Sequence, residues 1–557
     1  MQFDSWQFAT AADQQQVQVH NPWMWSDVPD PDIIRVGEYY YLVSTTMHLM
    51  PGAPVMRSRD LVTWQTVSYL FDEIHDTPRY DLKEGTVYGR GQWATSLRYH
   101  EFKSGPMQGE KLFFALFTAN DDPHRSWLYK TTDPAQGWTL VVRLPHYHDA
   151  SLLFDDDDRC YVYHDGGAVH LSRLTPDLTA ADPTWEVRTL NTRELMPEGL
   201  LEGSRAIKRD GYYYLSMISW PRSGRQQLAF RSRNIEGPYE MQVILKSKFG
   251  GWNYAGQGTV VDGKRGEWYG VIFQDRDGVG RVLTLSPCEW VDGWPMIGEL
   301  QPDGSRIIPE SMMLTAEADP TSDIEPKKKD LRPTSHLSAD GYIQWLQNDE
   351  FDQSSTLMTD VPAWQCNHNP TGKAWSLKER KGWLRLHTSE VAPTLYHARN
   401  TLTQRMQGPT CSGTVCIDFS HMRDGDRAGL AAFNGHSALM TLERTGKKTA
   451  LVLSFEEVEL SDREKAITNV KREEIARLDV SDLSTILLRI DGDFRPGAHD
   501  QATFWYSLDN GTNWLPLGRP FRMRFDYRKL FMGTKFALFN YCTKKNGGYV
   551  EVDYFNF

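Results

Sequence analysis

The chain has 557 residues, more than one hydrophobic core usually supports, so its length predicts at least two domains. Its net charge of −12 is spread along the sequence and disfavours nucleic-acid binding, which requires a clustered basic face. No apolar run reaches the roughly eighteen residues that would cross a membrane. Residues 1–30 lack the basic start and apolar centre of a signal peptide, which predicts a cytoplasmic protein, or a secreted or periplasmic one if a leader has been removed.

The six cysteines form no CxxC pair and have no histidines at zinc-binding spacing. We therefore predict buried thiols and no metal site at these residues. The chain also contains 19 Trp and 24 Tyr, whose flat amphipathic rings suit both large cores and the walls of sugar-binding sites. Core packing is the expected role of most of these rings.

A polar turn followed by an aromatic strand recurs five times in the N-terminal half of the chain. The repeats are "GEYYYLVSTT" from Gly37, "GEKLFFALFTA" from Gly109, "DDRCYVYHDG" from Asp157, "DGYYYLSMIS" from Asp210 and "GEWYGVIFQD" from Gly266. Their starts lie roughly fifty to seventy residues apart, which fits four-stranded blades better than bare hairpins. The pattern predicts an all-β, five-bladed propeller over residues 1–315.

Each repeat is preceded by a short strand that begins with a polar or aromatic residue. The stretch "SDVPDPDIIR" carries three such candidates, Asp27, Asp30 and Asp32, and taken alone it would be a turn. The innermost strands of a propeller meet at its axis, so equivalent positions of the repeats become neighbours in space. The residues predicted to converge at one end of the axis are Asp30, Trp93, Asp149, Glu202 and Gln257.

Acidic side chains at the same position of three blades would repel one another unless the site uses their charge. Like charges raise each other's pKa, so that one carboxyl stays protonated beside an ionised one. A carboxylic acid and a carboxylate flanking one bond are the groups that hydrolyse glycosides, and a third acid can modulate the pair. The repeat pattern therefore indicates a glycosidase site.

Several separated motifs resemble glycoside hydrolase family 43, a group of five-bladed propellers that cleave sugars with inversion. They are "PDPDIIRVGEYYYLVST", "WATSLRYH", "HDASLLFDDDDRCYVY", "EGSRAIKRDGYYYLSM" and "QDRDGVGRV", in order between about residues 20 and 300. The resemblance implies that Asp30 is the general base and Glu202 the general acid. Asp149 would raise the pKa of that acid and orient it. Arg281 would bind the terminal sugar, and Trp93 would form a pocket wall.

The sequence also departs from the family pattern. Gly256 stands where many members carry a His on the axis, so a central structural calcium is not supported, and no cofactor is required. The stretch "MHLMPG" replaces an aromatic stretch of the β-xylosidases, so Met47 and His48 are predicted to reshape the pocket beside the first sugar. His48, His146 and His148 are candidates for lining the site, although satisfied or surface histidines are the simpler interpretation.

The composition changes after about residue 310. Residues 316–340 are rich in Pro, Ser and charge and read as a linker. Alternating apolar residues and the Asn510-Gly511 turn then predict an antiparallel β-sandwich over residues 341–557. This segment resembles the concanavalin-like sandwich of the same branch of family 43. Its expected role is structural support, since no motif indicates sugar binding.

The predicted function is an exo-acting, inverting glycosidase that releases terminal α-L-arabinofuranose from hemicellulose oligosaccharides such as those of arabinoxylan or xyloglucan. The alternative within the family is a β-D-xylosidase or a bifunctional enzyme. A non-catalytic glycan-binding propeller is the alternative of another class, but such a protein would be expected to lose one of the three acids. A retaining fructan-cleaving propeller is disfavoured because its Asn-Asp-Pro and Arg-Asp-Pro triplets are missing. The sequence indicates an oligosaccharide partner and gives no oligomeric state.

Overall fold

Strands make up nearly all of the regular structure. The computed structural model describes residues 14–121, 123–317, 335–345, 348–352, 364–462 and 465–557. Within these ranges the α-helix is confined to Thr192–Leu195. The 3₁₀ turns are Pro78–Asp81, Gly105–Met107, Pro134–Gln136, Asp277–Val279 and Leu395–His397. None of the described helices has the length and apolar character needed to span a membrane.

Five four-stranded antiparallel sheets form the N-terminal domain. The strands of each sheet follow one another along the chain, except that Leu49–Met50, which pairs elsewhere, lies between the second and third strands of blade 1. The strands of blade 1 are Asp32–Val36, Tyr39–Val43, Gly52–Ser58 and Trp64–Phe71; those of blade 2 are Gln92–Glu101, Lys111–Ala119, Arg125–Thr131 and Thr139–Leu144; those of blade 3 are Ser151–Phe154, Cys160–His164, His170–Arg173 and Arg188–Thr189; those of blade 4 are Leu201–Arg209, Tyr212–Ser219, Gln226–Ser232 and Glu240–Leu245; those of blade 5 are Gly258–Asp262, Trp268–Arg276, Gly280–Val291 and Trp294–Ile297.

The first strand of each blade lies at the centre of the ring. It contacts the first strand of the next blade, and the first strand of blade 5 contacts that of blade 1. The five aromatic repeats of the sequence are the second strands, and turn residues with positive φ such as Gly37 (59°) and Gly266 (90°) connect the two. The predicted five-bladed propeller is therefore confirmed.

Period-two alternation in the strands fills the spaces between blades. In the second strand of blade 2, Phe113 and Phe117 pack with residues of blade 1, such as Val43. The intervening Phe114 and Leu116 point to the opposite face and pack with blade 3. Each blade thus uses both faces of its sheet, which explains why its second strand is apolar along most of its length.

Segments outside the blades complete the propeller. The strand Gln14–His20 pairs with Ser311–Glu317, so both ends of the domain lie together. Trp23 and Trp64 meet edge to face at 5.5 Å in the apolar cluster between blades 5 and 1. A small hairpin, Glu299–Leu300 with Arg306–Ile307, follows the last blade.

The C-terminal domain is a sandwich of two sheets with one extended apolar core between them. In spatial order, the strands of the first sheet are Ile467–Asp479, Lys448–Leu460, His436–Thr445, Asp426–Phe433, Lys535–Cys542, Thr401–Arg405, Gln365–Asn367 and Leu49–Met50. Those of the second are Trp375–Ser376, Leu384–His387, Tyr549–Asn556, Thr410–Asp418, Thr485–Asp493, Gln501–Ser507 and Leu515–Pro516, with Phe521–Arg522 also paired to Gln501–Ser507. The predicted sandwich is confirmed, and its first sheet ends in Leu49–Met50, a strand contributed by blade 1.

Part of the predicted linker, residues 318–334, lies outside the described residues. The hairpin of Ser335–Leu337 and Ile343–Trp345 packs on the propeller, where Ile343 and Trp345 join the cluster between blades 5 and 1. The boundaries predicted at residues 315 and 341 stay predictions. All six cysteines are buried thiols, as the sequence predicts.

Candidate active site

Asp30 lies directly ahead of the first strand of blade 1, at one end of the axis. Its Oδ1 accepts a hydrogen bond from Nη1 of Arg281 at 2.9 Å, and its Oδ2 accepts one from the hydroxyl of Thr45 at 2.7 Å. The side chain is almost fully buried, at 7% exposure. Two donors fix both oxygens of Asp30, so its orientation is set before any ligand binds.

The other two aspartates of the "SDVPDPDIIR" stretch have structural roles. Asp32 accepts the backbone N–H of Leu97 at 2.9 Å and Nη1 of Arg98 at 2.7 Å, which ties blade 1 to blade 2. Asp27 binds the sandwich through Lys535. The crowding of acids in this stretch therefore reflects three separate tasks, of which Asp30 alone faces the site.

His148 lies between the carboxyl groups of Asp149 and Glu202. Asp149 precedes the first strand of blade 3, and Glu202 is the second residue of the first strand of blade 4. Nε2 of His148 lies 3.8 Å from Asp149 Oδ2 and 3.8 Å from Glu202 Oε2. Asp30 is near enough to act electrostatically on Asp149. The structure therefore brings the three predicted acids into one site.

A β-bulge in blade 4 shapes the backbone beside Glu202. The register shifts between Glu202 and Arg205, and Gly203 takes a φ of 73° within the bulge. Its N–H donates to Asp149 Oδ2 at 3.0 Å. A Cβ at this position would lie 2.5 Å from Cδ of Gln257, so only glycine fits. Gln257 thus packs on the strand that carries Glu202.

Several predicted site residues have an unusual backbone conformation. The φ angles are positive at Asp30 (53°), Met47 (55°), Asp149 (45°) and Gln257 (122°). Such conformations cost about 1 kcal/mol or more for residues other than glycine, and they cluster at functional sites. Their concentration around one end of the axis supports a functional site there.

Burial and charge shift the pKa values of two groups at the site. Burial raises the pKa of Asp149 to about 6, with the charges of Glu202 and Asp30 acting in the same direction and His148 opposing them. The Asp149 charge raises the pKa of His148 to about 9, against the effect of burial and with help from Glu202. His148 is therefore an imidazolium at neutral pH, placed between two carboxyl groups.

A pocket of about 720 Å³ opens beside these acids. Trp93 forms part of its wall, next to His148. The sandwich supplies Phe531, whose ring meets Trp93 edge to face at 5.5 Å and lies 4.6 Å from the Arg281 guanidinium. The wall of the site is therefore built by both domains.

The structure places Met47 and His48 differently from each other. Met47 borders a small cavity behind Arg281 and Phe531. His48 is completely buried between Tyr88 and His368, at ring-centroid distances of 4.8 and 5.1 Å. Burial lowers the pKa of His48 to about 3, so the ring is neutral. The prediction that His48 binds substrate is wrong for this structure, because the side chain packs at the domain interface and does not border the pocket.

A cationic side chain, that of Arg98, lies where the first strands of the blades meet around the axis. Arg98 joins Asp32, Ser151 and the carbonyl of Ala206, which belong to three other blades, so its guanidinium crosses the axis. A Cβ at Gly256 would touch the side chain of Arg225. These residues do not suit a central calcium ion. His148, Asp149 and Glu202 have ligand atoms within 4.8 Å of one another and are the described group with metal-ligand character.

Sequence reasoning missed the roles of Arg205 and Phe531. The buried guanidinium of Arg205 donates to the carbonyls of Asp30 and Pro31, which fixes the loop that carries the predicted base. The position of Arg205, three residues after the predicted acid Glu202, could have indicated a role near the site. Phe531 had none, since its place depends on how the sandwich docks.

Comparison with known proteins agrees with this geometry. The model of "Glycosyl hydrolases family 43" matches residues 19–295, and that of "Beta xylosidase C-terminal Concanavalin A-like domain" matches residues 348–557. The chain belongs to glycosyl hydrolase family 43. This family 43 protein is therefore a glycoside hydrolase that acts on carbohydrate.

Relatives of the family 43 hydrolase align with most of its length. A beta-xylosidase of Formosa agariphila is 27% identical over 590 residues, which cover 96% of this chain and 90% of that protein. The non-reducing end alpha-L-arabinofuranosidase BoGH43B of Bacteroides ovatus is 25% identical over 78% of this chain and 77% of its own length. The solved structure of a bifunctional GH43-CE protein from Bacteroides eggerthii is 34% identical, with a TM-score of 0.82 over 97% of this chain; this chain spans 64% of its length.

Proposed function

We propose that this hydrolase is an exo-acting, inverting enzyme that removes a terminal pentose from hemicellulose oligosaccharides. The observation that carries the proposal is the Asp30 carboxylate, fixed by Arg281 and Thr45, within electrostatic range of the Asp149, His148 and Glu202 group. Phe531, whose ring packs on Arg281, restricts one side of the pocket, which suits a site that accepts a chain end.

In the proposed reaction a water molecule attacks the anomeric carbon. Asp30 takes the proton of that water, and Glu202 protonates the departing oxygen on the opposite face of the sugar. Around Glu202, the negative charge of Asp149 and the positive charge of His148 act in opposite directions on the acid. An inverting enzyme needs room for the water, so the carboxyl groups of Asp30 and Glu202 are predicted to lie roughly 6.5 to 9.5 Å apart.

β-D-xylose is our first candidate for the released sugar. The relative from Formosa agariphila, whose alignment with this chain covers most of both proteins, is named a beta-xylosidase. This order reverses the sequence-based prediction, which placed α-L-arabinofuranose first. Arabinofuranose remains the second candidate, supported by the relative from Bacteroides ovatus and by the "MHLMPG" stretch.

Two measurements test the proposal. The first compares kcat/KM for the 4-nitrophenyl β-D-xyloside and α-L-arabinofuranoside, with Asp30→Asn protein, which lacks the proposed base, as the matched control for contaminating activity. We expect both to be cleaved, the xyloside faster. The second follows hydrolysis of xylobiose by NMR, where inversion releases α-xylose first. Initial release of β-xylose would contradict inversion, and no cleavage of either pentoside would contradict the function.

A further inference from the structure

The mouth of the active-site pocket is lined by basic side chains. Its lining consists of Arg79, Gly89, Arg90, Trp93, Asn120, His124, His148, Lys465, Tyr527 and Phe531. Five of these ten carry a basic group, and one of the five, His148, lies between the carboxyl groups of Asp149 and Glu202. None of the described residues in this lining is Asp or Glu. These basic side chains are gathered in one pocket of a chain whose net charge is −12.

Three described acids lie next to these basic groups, namely Asp149 and Glu202 beside His148 and Asp121 beside Arg79 and Arg90. Asp121 is buried, at 2% exposure. Its Oδ1 forms ion pairs with Nη2 of Arg79 at 2.7 Å and with Nη1 of Arg90 at 3.6 Å. Arg90 also donates to the carbonyl of Asp462, and Lys465 to the carbonyl of Arg528, at 3.0 and 3.2 Å. The carbonyl groups orient these two cations, and Arg90 shares the charge of Asp121 with Arg79.

Lys465 and Arg90 also repel each other. Burial lowers the pKa of Lys465, and the charge of Arg90 lowers it further, against the opposing effects of Asp462 and Asp526. Like charges brought together in a partly desolvated cleft cost free energy, and they focus a field that attracts an anion. A bound anionic group would remove this cost.

The position of the basic groups shows which part of a substrate they would meet. His148 touches Glu202, the acid of the proposed function on which this inference rests, so the pocket beyond it is where the leaving group would lie. Tyr527 stands at the mouth with 65% exposure, as a flat apolar surface for a sugar ring. Arginine side chains match the geometry of carboxylate and related oxyanions.

We propose that the leaving-group side of the pocket binds an anionic substituent, either the carboxylate of a uronic acid or a sulfate ester on the sugar next to the bond that is cleaved. The preferred substrates are then acidic oligosaccharides with a neutral pentose at the non-reducing end.

The test measures kcat/KM on matched oligosaccharides that end in the same pentose. One has a neutral second sugar, one has a second sugar that carries glucuronic acid, and one has a sulfated second sugar. We expect the wild type to prefer an acidic substrate over the neutral one by about tenfold or more, the strength of a charge-assisted hydrogen bond. Raising the salt concentration should reduce that preference. Of the two acidic substrates, the one with the higher kcat/KM identifies the preferred anion.

Three variants make the test specific. Arg90→Gln and Lys465→Gln should each reduce the preference for the acidic substrate, and Arg90→Lys should retain part of it. Lys447→Gln, which removes an exposed charge from a turn of the sandwich, should leave the ratio unchanged. Equal kcat/KM on neutral and acidic substrates in the wild type would overturn this inference while leaving the pentosidase function intact. Failure to cleave any of the three substrates would instead contradict the function itself.

Discussion

Asp27 of the propeller and Lys535 of the sandwich form a buried ion pair with a distance of 2.9 Å. The side chains of these two residues are 4% and 2% exposed. The Asp27 carboxylate also accepts the backbone N–H groups of Arg281 at 3.0 Å and Gly533 at 2.8 Å. These charges and hydrogen bonds hold the pKa of Asp27 below its usual value, although burial acts against them. Since the Arg281 side chain binds Asp30, the domain junction and the predicted base share one residue.

Replacing Asp27 should destabilise the junction. Asp27→Ala leaves Lys535 buried without its carboxylate, which typically costs about 3–5 kcal/mol of unfolding free energy. We expect a loss of this size in urea denaturation and a fall in kcat/KM, because Arg281 loses a fixed backbone partner. The exposed Asp482→Ala is the control. A change below about 0.5 kcal/mol, the scale of ordinary surface substitutions, would contradict the role assigned to the pair.

The predicted acid and base can be separated by the substrates that their variants still cleave. Glu202→Ala should reduce kcat/KM on natural oligosaccharides by several orders of magnitude and on aryl glycosides much less, since nitrophenolate departs with little protonation. Asp30→Ala removes activation of the water, which both substrates require, and should lower both similarly. Equal losses on the two substrates for Glu202→Ala would exclude it as the acid. Full activity in Asp30→Ala would exclude the base.

Asp149 should control the pH dependence of activity. Asp149→Asn keeps the shape of the side chain but removes a negative charge beside Glu202, so the acid loses its proton more easily. The alkaline limb of the kcat/KM profile should move to lower pH. The measurement is a full pH profile on a natural oligosaccharide, with the wild type at the same ionic strength. An unmoved alkaline limb would show that Asp149 does not act on the acid through its charge.

His148 should make the stability of the protein depend on alkaline pH. Its pKa is raised in the folded state to about 9, so its contribution is fully present below about 6.5, its unfolded value, and is lost as pH rises through 9. We expect the wild type to lose roughly 1–3 kcal/mol between pH 6 and pH 9.5 relative to His148→Asn. Urea denaturation at both pH values measures this difference. The exposed His499→Asn should behave as the wild type, and equal pH slopes for wild type and His148→Asn would refute the prediction.

Phe531 should connect the sandwich to catalysis. Its ring lies over Arg281 and against Trp93, so Phe531→Ala opens one wall of the pocket. We expect kcat/KM on xylobiose to fall by about tenfold or more, with a smaller loss for Phe531→Leu, since each 1.4 kcal/mol of lost transition-state binding is tenfold in rate. The melting temperature should change little. Leu515→Ala, at a residue 45% exposed on the sandwich, is the control and should keep full activity.

The sequence by itself determined the repeating parts of the molecule. Five aromatic strands, their polar turns and the period-two alternation specify five blades, because strand pairing and burial within a blade depend on residues close together in the chain. The same repetition brought Asp30, Asp149 and Glu202 to one site, since equivalent positions of repeats become neighbours around an axis. The alternating pattern after residue 341 likewise indicated a sandwich.

Tertiary structure alone decided what happens where the two domains meet. Asp27 and Lys535 are 508 residues apart, and Arg281 and Phe531 are 250 apart, so no local pattern records either contact. His48 follows Met47 directly, yet it packs against Tyr88 and His368 because the next two residues, Leu49 and Met50, join a sheet of the sandwich. Periodicity reports which face of a strand is buried. The partner that buries that face depends on the docking of whole sheets, and this is why the domain junction and the part of the pocket wall that the sandwich supplies could be assigned only from the structure.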